Sequence, residues 1–123
     1  MKVSDGSTRP PALLVGQTYP AGCSARIVLD HVSSKWGVLI LLALSDGSHR
    51  WSELRRRTDG ISEKMLAQTL KTLEGDGFVR RDAHAVIPPR VDYSLTGRGE
   101  EVAALLKPLT EWVAEHADEI LER

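Results

Sequence analysis

The segment GISEKMLAQTLKTLEGDGF, Gly60–Phe78, constrains the fold most, because it carries the start, stop and packing signals of one helix. Ser62 is a favoured N-cap residue, and Gly75 and Gly77 are stop signals. Apolar residues spaced i, i+4 and i+7 predict one stripe against a core: Leu66, Leu70 and Leu73. Polar side chains fall on the opposite side: Lys64, Gln68 and Lys71. The segment therefore predicts a helix that packs on one side and presents long hydrogen-bonding side chains on the other.

The patterns on either side of this helix predict a mainly α-helical chain with one small antiparallel hairpin. In order, the predicted elements are a helix at about 24–33, a buried helix after Ser34, a very short strand in HRW, a short helix 53–57 capped by Ser52, the Gly60–Phe78 helix, strands in FVRRD and RVDYSL, and a helix at about 97–121 capped by Thr96. Pro88 and Pro89 belong to the loop between the strands, since proline does not fit a central strand. A short helix, a turn, a longer helix and a hairpin form a winged helix-turn-helix.

This order of elements gives the exposed helical stripe a function. A helix fits the major groove of double-stranded DNA, where Lys64 can reach guanine acceptors or phosphate and Gln68 can pair with adenine. Positively charged side chains on the neighbouring elements would contact phosphates and fix the register. The candidate DNA-binding residues are Ser62, Lys64, Gln68, Lys71, Arg55, Arg56, Arg81 and Arg90, with Arg90 and Arg81 assigned to the wing. A lysine-bearing face on its own is usually only solvated, but the surrounding elements favour DNA.

Composition is compatible with a DNA partner although the net charge is −1. From Glu100 onward the sequence has seven acidic and two basic residues, which gives this segment a net charge of −5. The first 99 residues therefore have a net charge of +4. A basic body with an acidic terminal helix can concentrate positive potential on one surface. Residues 1–20 are rich in glycine and proline and predict a flexible arm, followed by one domain over 21–123.

Several function classes find no support in the sequence. No apolar run is long enough for a membrane span and no signal peptide is recognisable, so we expect a cytoplasmic protein. Cys23 is the only cysteine and the four histidines lack ligand spacing, so neither a metal nor a cofactor is predicted. HExxH, GxSxG and P-loop motifs are absent, and TGRGEE lacks the third glycine of a dinucleotide loop. We therefore predict that the protein is not an enzyme.

Three segments together resemble the HxlR-type winged-helix transcriptional regulators, relatives of the MarR group. They are KWGVLILLAL, RWSELRRRTDGISEKMLAQTLKTLEGDGFVRR and VIPPRVDYSLTGRG, and the likeness runs from Cys23 to about Trp112. The resemblance implies a homodimer whose first and last helices pair across a two-fold axis, and regulation of nearby genes. The terminal helix, about 97–121, would be the dimerisation helix. The implied interface residues are Ile27, Val28, Leu105, Leu109, Trp112 and Val113.

Physical reasoning independently favours a dimer on a pseudo-palindromic operator. One reading module has too small an interface for tight specific binding. Two modules about 34 Å apart would match successive major grooves. The apolar residues of the terminal helix also exceed what so small a core can cover.

The resemblance also implies a role for Cys23, because several members sense oxidants or electrophiles through a cysteine just before the first helix. A thiol at a helix N-terminus meets the positive end of the helix dipole, which favours the reactive thiolate. Oxidation would give a bridge between subunits, a mixed disulfide or an adduct. Ser24 departs from the family pattern, which often has proline there.

Three alternatives stay open at the level of sequence. The regulator could respond to a small-molecule effector at the dimer interface without thiol chemistry, or Cys23 could be an inert packed residue. The chain could also be a winged-helix module that binds protein rather than DNA. Repression is favoured over activation.

Overall fold

A computed structural model describes residues 18–123, which form two compact units, 18–30 and 31–123. Its elements are α1 (Ser24–Ser33), α2 (Lys35–Ala43), β1 (His49–Arg50), α3 (Trp51–Arg57), α4 (Glu63–Gly75), β2 (Val79–His84), β3 (Arg90–Leu95) and α5 (Gly97–Leu121). The predicted winged helix-turn-helix order is confirmed. The predicted arm, residues 1–20, lies outside the described residues except for 18–20.

Side-chain caps begin three of the helices where the sequence predicted them. Ser34, Ser62 and Thr96 each accept a hydrogen bond at 3.1 Å from the backbone N–H three residues on. The predicted start of α3 is wrong. The helix begins at Trp51, and Arg50 occupies the N-cap position without a side-chain cap. The chain passes directly from β1 into α3, so no residues remain between them for a separate Ser52 cap.

The core lies between α2, α3, α4 and the inner face of the sheet. Its fully or nearly fully buried aliphatic residues include Ile40, Leu41, Leu44, Leu54, Leu66, Leu70 and Leu73. The three predicted leucines of α4 are thus confirmed as its inner stripe. The helix ends as expected: Gly77 adopts a positive φ of 81°, and the Phe78 N–H donates to the Leu73 carbonyl at 2.9 Å.

The sheet has three antiparallel strands in the order β1-β3-β2. The predicted hairpin is β2 and β3, with Pro88 and Pro89 in its loop. The very short strand adds a third strand by pairing with β3, His49 opposite Tyr93. Tyr93 is buried against the core. Because side chains alternate between faces, Arg90 and Asp92 point to the opposite, outer face.

Only the first turns of α5 pack closely against the rest of the fold. A Cβ on Gly99 would overlap the Phe78 carbonyl, so only glycine fits there. Ala103 is buried, and Val102 and Leu106 pack against the core. The helix continues through Pro108 to Leu121, and no residue beyond Ala103 is fully buried. None of the helices in residues 18–123 combines the length and the hydropathy of a membrane span.

Candidate nucleic-acid interface

The outer face of α4 is the centre of the candidate interface. Lys64, Gln68 and Lys71 are exposed, on the side opposite leucines that are at most 2% exposed. The buried leucines fix the rotation of the helix about its axis, so the polar stripe faces away from the core. Ser62, at the start of the helix, is also exposed, and its oxygen accepts from the Met65 N–H. Its hydroxyl hydrogen remains able to donate to a phosphate.

The arginines at the end of α3 are held by carboxylates. Arg55 lies 3.6 Å from Glu63 at the start of α4, and Arg56 contacts Glu53. Arg57 bonds both Glu53 at 3.1 Å and Asp46 at 3.0 Å. All three guanidinium groups are exposed, and exposed ion pairs contribute only about 0–1 kcal/mol. A phosphate can therefore replace these carboxylates at little cost.

The carboxylates of this network stay ionised at neutral pH. Hydrogen bonds from His49 and then Arg57 hold the pKa of Asp46 below its usual range. The hydrogen bond from Arg57 likewise lowers the pKa of Glu53, and the two carboxylates raise the pKa of Arg57. The positive charge at the end of α3 is thus partly neutralised before any ligand binds.

A second group of candidates lines a cleft between α4 and the inner face of the sheet. The cleft has a volume of about 260 Å³ and is lined by Trp51, Ala67, Leu70, Lys71, Glu74, Arg81 and Tyr93. Arg81 stands opposite the buried Tyr93 in the strand register, which puts it on the α4 side of the sheet. Neither Lys71 nor Arg81 has a carboxylate within ion-pair distance among residues 18–123. Arg81 therefore lies beside α4 on the inner face of the sheet, whereas Arg90, with which it was grouped on the wing, lies on the outer face.

The outer face of the wing is organised by one carboxylate that the sequence reasoning missed. Asp92 lies 2.9 Å from His84, 3.5 Å from Arg90 and 3.9 Å from Arg50. These three basic side chains come from three different strands. Asp82 stands directly opposite Asp92 in the register, and like charges in that position are destabilising. The surrounding basic side chains offset that repulsion.

Cys23 lies in the shorter unit, residues 18–30, immediately before α1. Its Sγ is half-buried and accepts a hydrogen bond from the Arg26 N–H at 3.4 Å. The Arg26 guanidinium donates to the Tyr19 carbonyl at 3.2 Å. Thr18, Tyr19, Arg26 and Leu29 line a mostly apolar recess of about 380 Å³ in the same unit. The thiol thus sits at the helix N-terminus that the sequence predicted.

Apolar side chains are exposed on two helices in the described part of the chain. On α5, Leu105 is 75% exposed, and Leu109, Trp112 and Val113 are about half exposed. These residues follow a 3–4 spacing, which places them on one stripe. On α1, Ile27 and Val28 are 46% and 39% exposed. The Trp112 ring also stacks on His116, with ring centroids 4.3 Å apart.

No group of three or more His, Cys, Asp and Glu side chains in residues 18–123 has the arrangement of a metal site. The candidate site is a protein surface of polar and basic side chains. It consists of the α4 stripe, the α3 arginines, the Lys71–Arg81 cleft and the wing.

Residues 31–121 match the HxlR-like helix-turn-helix family. The chain belongs to the HxlR family. Over 106 residues it is 51% identical to YtfH of Escherichia coli (strain K12), an uncharacterized helix-turn-helix-type transcriptional regulator, and the match covers 86% of this chain and 84% of YtfH. This HxlR-family chain is therefore a helix-turn-helix transcriptional regulator, and the family implies DNA as its partner.

Solved structures agree with this assignment. The structure of ytfH from Salmonella typhimurium, assigned as a transcriptional regulator, superposes with a TM-score of 0.80 at 50% identity, covering 87% of the HxlR-family chain and 96% of ytfH. The redox regulator HypR in its oxidized form superposes with a TM-score of 0.70 at 33% identity, covering 76% and 96% of the two chains. The winged-helix fold predicted from the sequence is confirmed.

Proposed function

We propose that the protein is a homodimeric repressor that reads a pseudo-palindromic operator with one α4 helix per half-site. The main support is the polar stripe of α4, which is exposed while the opposite side of the helix is buried in the core. The stripe consists of Lys64, Gln68 and Lys71. Lysine can donate to guanine O6 and N7, and glutamine can pair with adenine N6 and N7. In this arrangement Lys64 and Gln68 contact base edges.

The remaining basic residues position the protein on the DNA backbone. Lys71 and Arg81 line one cleft, which Glu74 also lines, and neither forms an ion pair within residues 18–123, which suits them to a shared phosphate beside α4. Arg55 and Arg56, together with the Ser62 hydroxyl, contact phosphates at the start of α4. Arg90 contacts phosphate from the wing. These contacts raise affinity for all sequences and make it depend on salt.

Dimerisation is supported by the exposed apolar stripe of α5. This stripe is a larger exposed apolar surface than we expect on a monomer, and it consists of Leu105, Leu109, Trp112 and Val113. Ile27 and Val28 extend the proposed interface onto α1. A second copy of the chain covers such a surface through a two-fold axis. A dimer bound over a promoter excludes other proteins from it, and this accounts for repression without any further surface.

Selection of binding sites from random duplex DNA tests this proposal. We expect enrichment of a pseudo-palindrome whose half-site centres are about 10–10.5 base pairs apart or a multiple of that distance. Enrichment of a single, non-repeated half-site would contradict the dimeric reading. Failure to enrich any sequence, with the protein folded, would favour the winged-helix protein-interaction module.

We further propose that oxidation or electrophile modification of Cys23 controls DNA binding. Two observations favour this control over a small-molecule effector that acts without thiol chemistry. The Sγ is only half-buried at the start of α1, next to the Arg26 N–H that donates to it, so an oxidant can reach it. The structurally similar HypR is a redox regulator. Because Ile27 and Val28 follow Cys23 by four and five residues, modification at Cys23 would act close to the proposed dimer surface.

The thiol proposal predicts different responses of the wild-type protein and Cys23→Ser to oxidant. After mild diamide treatment, the wild-type Kd for the selected operator should change at least tenfold and return with dithiothreitol, whereas the variant should not respond. Gel shifts measure the affinity, and mass spectrometry identifies a subunit bridge or an adduct. Equal oxidant responses of the two proteins would rule out a Cys23 switch.

A further inference from the structure

The tip of the wing carries apolar side chains in the most exposed position of the fold. Ile87 is 100% exposed and Val86 is 51% exposed, and the exposed Pro88 and Pro89 follow them. A single exposed apolar residue is ordinary. Four consecutive ones at the apex of a hairpin, none of them among the residues packed on the core, form one continuous apolar surface.

The charges around this tip identify the class of partner. His84 and Arg90 face each other across the last paired position of β2 and β3, so one basic residue stands on each side of the loop. Asp92 contacts both, the His84 ring at 2.9 Å and the Arg90 guanidinium at 3.5 Å. No acidic residue occurs from 83 to 91. An apolar apex between two basic side chains matches a minor groove, whose floor lies between two phosphate walls about 6 Å apart.

We propose that the tip, residues 86–89, is a minor-groove wedge and that Ile87 at its apex determines specificity through the shape of the DNA. The proposal rests on the proposed DNA-binding function and adds a role that base contacts do not supply. Apolar side chains that enter the minor groove partly unstack a base step and bend the duplex. Flexible pyrimidine–purine steps deform at lower cost than stiff A-tracts. Ile87 therefore selects the flanks of the operator by their deformability.

His84 and Arg90 contact the phosphates on the two sides of the wedge, and Asp92 is a positioning residue for both. The contacts of Asp92 with His84 and Arg90 are part-exposed, so both side chains can turn from Asp92 to phosphate when DNA binds. The apolar and basic contacts thus have separable effects. Ile87 governs the preference among flanks, and Arg90 governs affinity for all DNA.

The test compares wild type, Ile87→Ser, Ile87→Leu and Arg90→Gln on one selected operator with either TA-step or A-tract flanks. Binding is measured by fluorescence anisotropy and bending by energy transfer between the duplex ends. Wild type and Ile87→Leu should bend the DNA and prefer TA-step flanks roughly five- to tenfold. Ile87→Ser should lose both the bend and the preference. Arg90→Gln should keep the preference but bind both duplexes more weakly, with a shallower salt dependence.

The outcomes separate this proposal from the broader one. An Ile87→Ser protein that bends and discriminates like wild type would overturn the wedge while leaving operator binding intact. A change in the association state of DNA-free Ile87→Ser, measured by sedimentation, would assign the tip to a second copy of the chain instead. A wild-type protein that binds neither duplex above background would overturn the DNA-binding proposal as well. Because Ile87 is fully exposed, thermal unfolding should be the same for wild type and the two Ile87 variants.

Discussion

Replacing Leu109 and Trp112 together with aspartate is expected to convert the protein to a monomer and to lower operator affinity about 10²- to 10⁴-fold. Both side chains are more than half exposed, so the substitution leaves the core intact. Placing two charges in the apolar stripe removes its burial on dimerisation and adds repulsion across the two-fold axis. When two DNA-binding modules are joined in a dimer, the effective concentration of the second module alone raises the affinity about 10²- to 10⁴-fold.

Sedimentation equilibrium and anisotropy on the selected operator measure the two effects. Circular dichroism checks that the helices are retained. The matched control is Glu111→Ala with Glu115→Ala, which alters exposed residues of the same helix outside the apolar stripe. The control should remain dimeric and bind normally. A double aspartate variant that stays dimeric would place the interface elsewhere on the molecule.

Replacing Lys64 and Gln68 with alanine is expected to remove most sequence discrimination. Non-specific binding should be unchanged by Gln68→Ala and weakened only slightly by Lys64→Ala, which also removes one positive charge. A good bidentate contact to a base discriminates by about 1–3 kcal/mol. Each substitution should therefore reduce the ratio of specific to non-specific affinity about 5- to 150-fold. Both residues are exposed on α4, so thermal stability should change little.

Arg81→Ala and Lys107→Ala are the informative comparisons for these variants. Arg81 lines the cleft beside α4, so its removal should weaken binding to every sequence and reduce the salt slope by about 1. Lys107 is an exposed cation on α5, and its removal should leave discrimination unaltered. If Lys64→Ala and Gln68→Ala weakened all sequences equally, the assignment of these two residues to base edges would be wrong.

The fold could be predicted from the sequence because its signals are local. The cap residues Ser34, Ser62 and Thr96 mark helix starts through their own hydrogen bonds, and the leucine spacing of α4 fixes its buried side. The predicted start of α3 was wrong because it also relied on a local signal alone. Ser52 is a good cap by type, but the preceding strand pairing already sets the backbone at Arg50.

The grouping of the basic residues could not be predicted, because it depends on the strand register. A hairpin loop of unknown length does not reveal that Arg81 lies opposite Tyr93 and Asp82 opposite Asp92. Only with that register does Arg81 share a cleft with Lys71, and only then does Asp92 gather His84, Arg90 and Arg50. Ion pairs between distant segments are tertiary properties with no periodic signal.

Scanning the selected operator with 7-deazapurines tests the central claim most directly, because each substitution removes one N7 acceptor from the major groove. If α4 lies in that groove, the wild-type protein should lose affinity at purines clustered in two regions about 10–10.5 base pairs apart. Gln68→Ala should become insensitive at one purine in each region. Equal wild-type affinity for every substituted duplex would show that the protein does not read the major groove through α4.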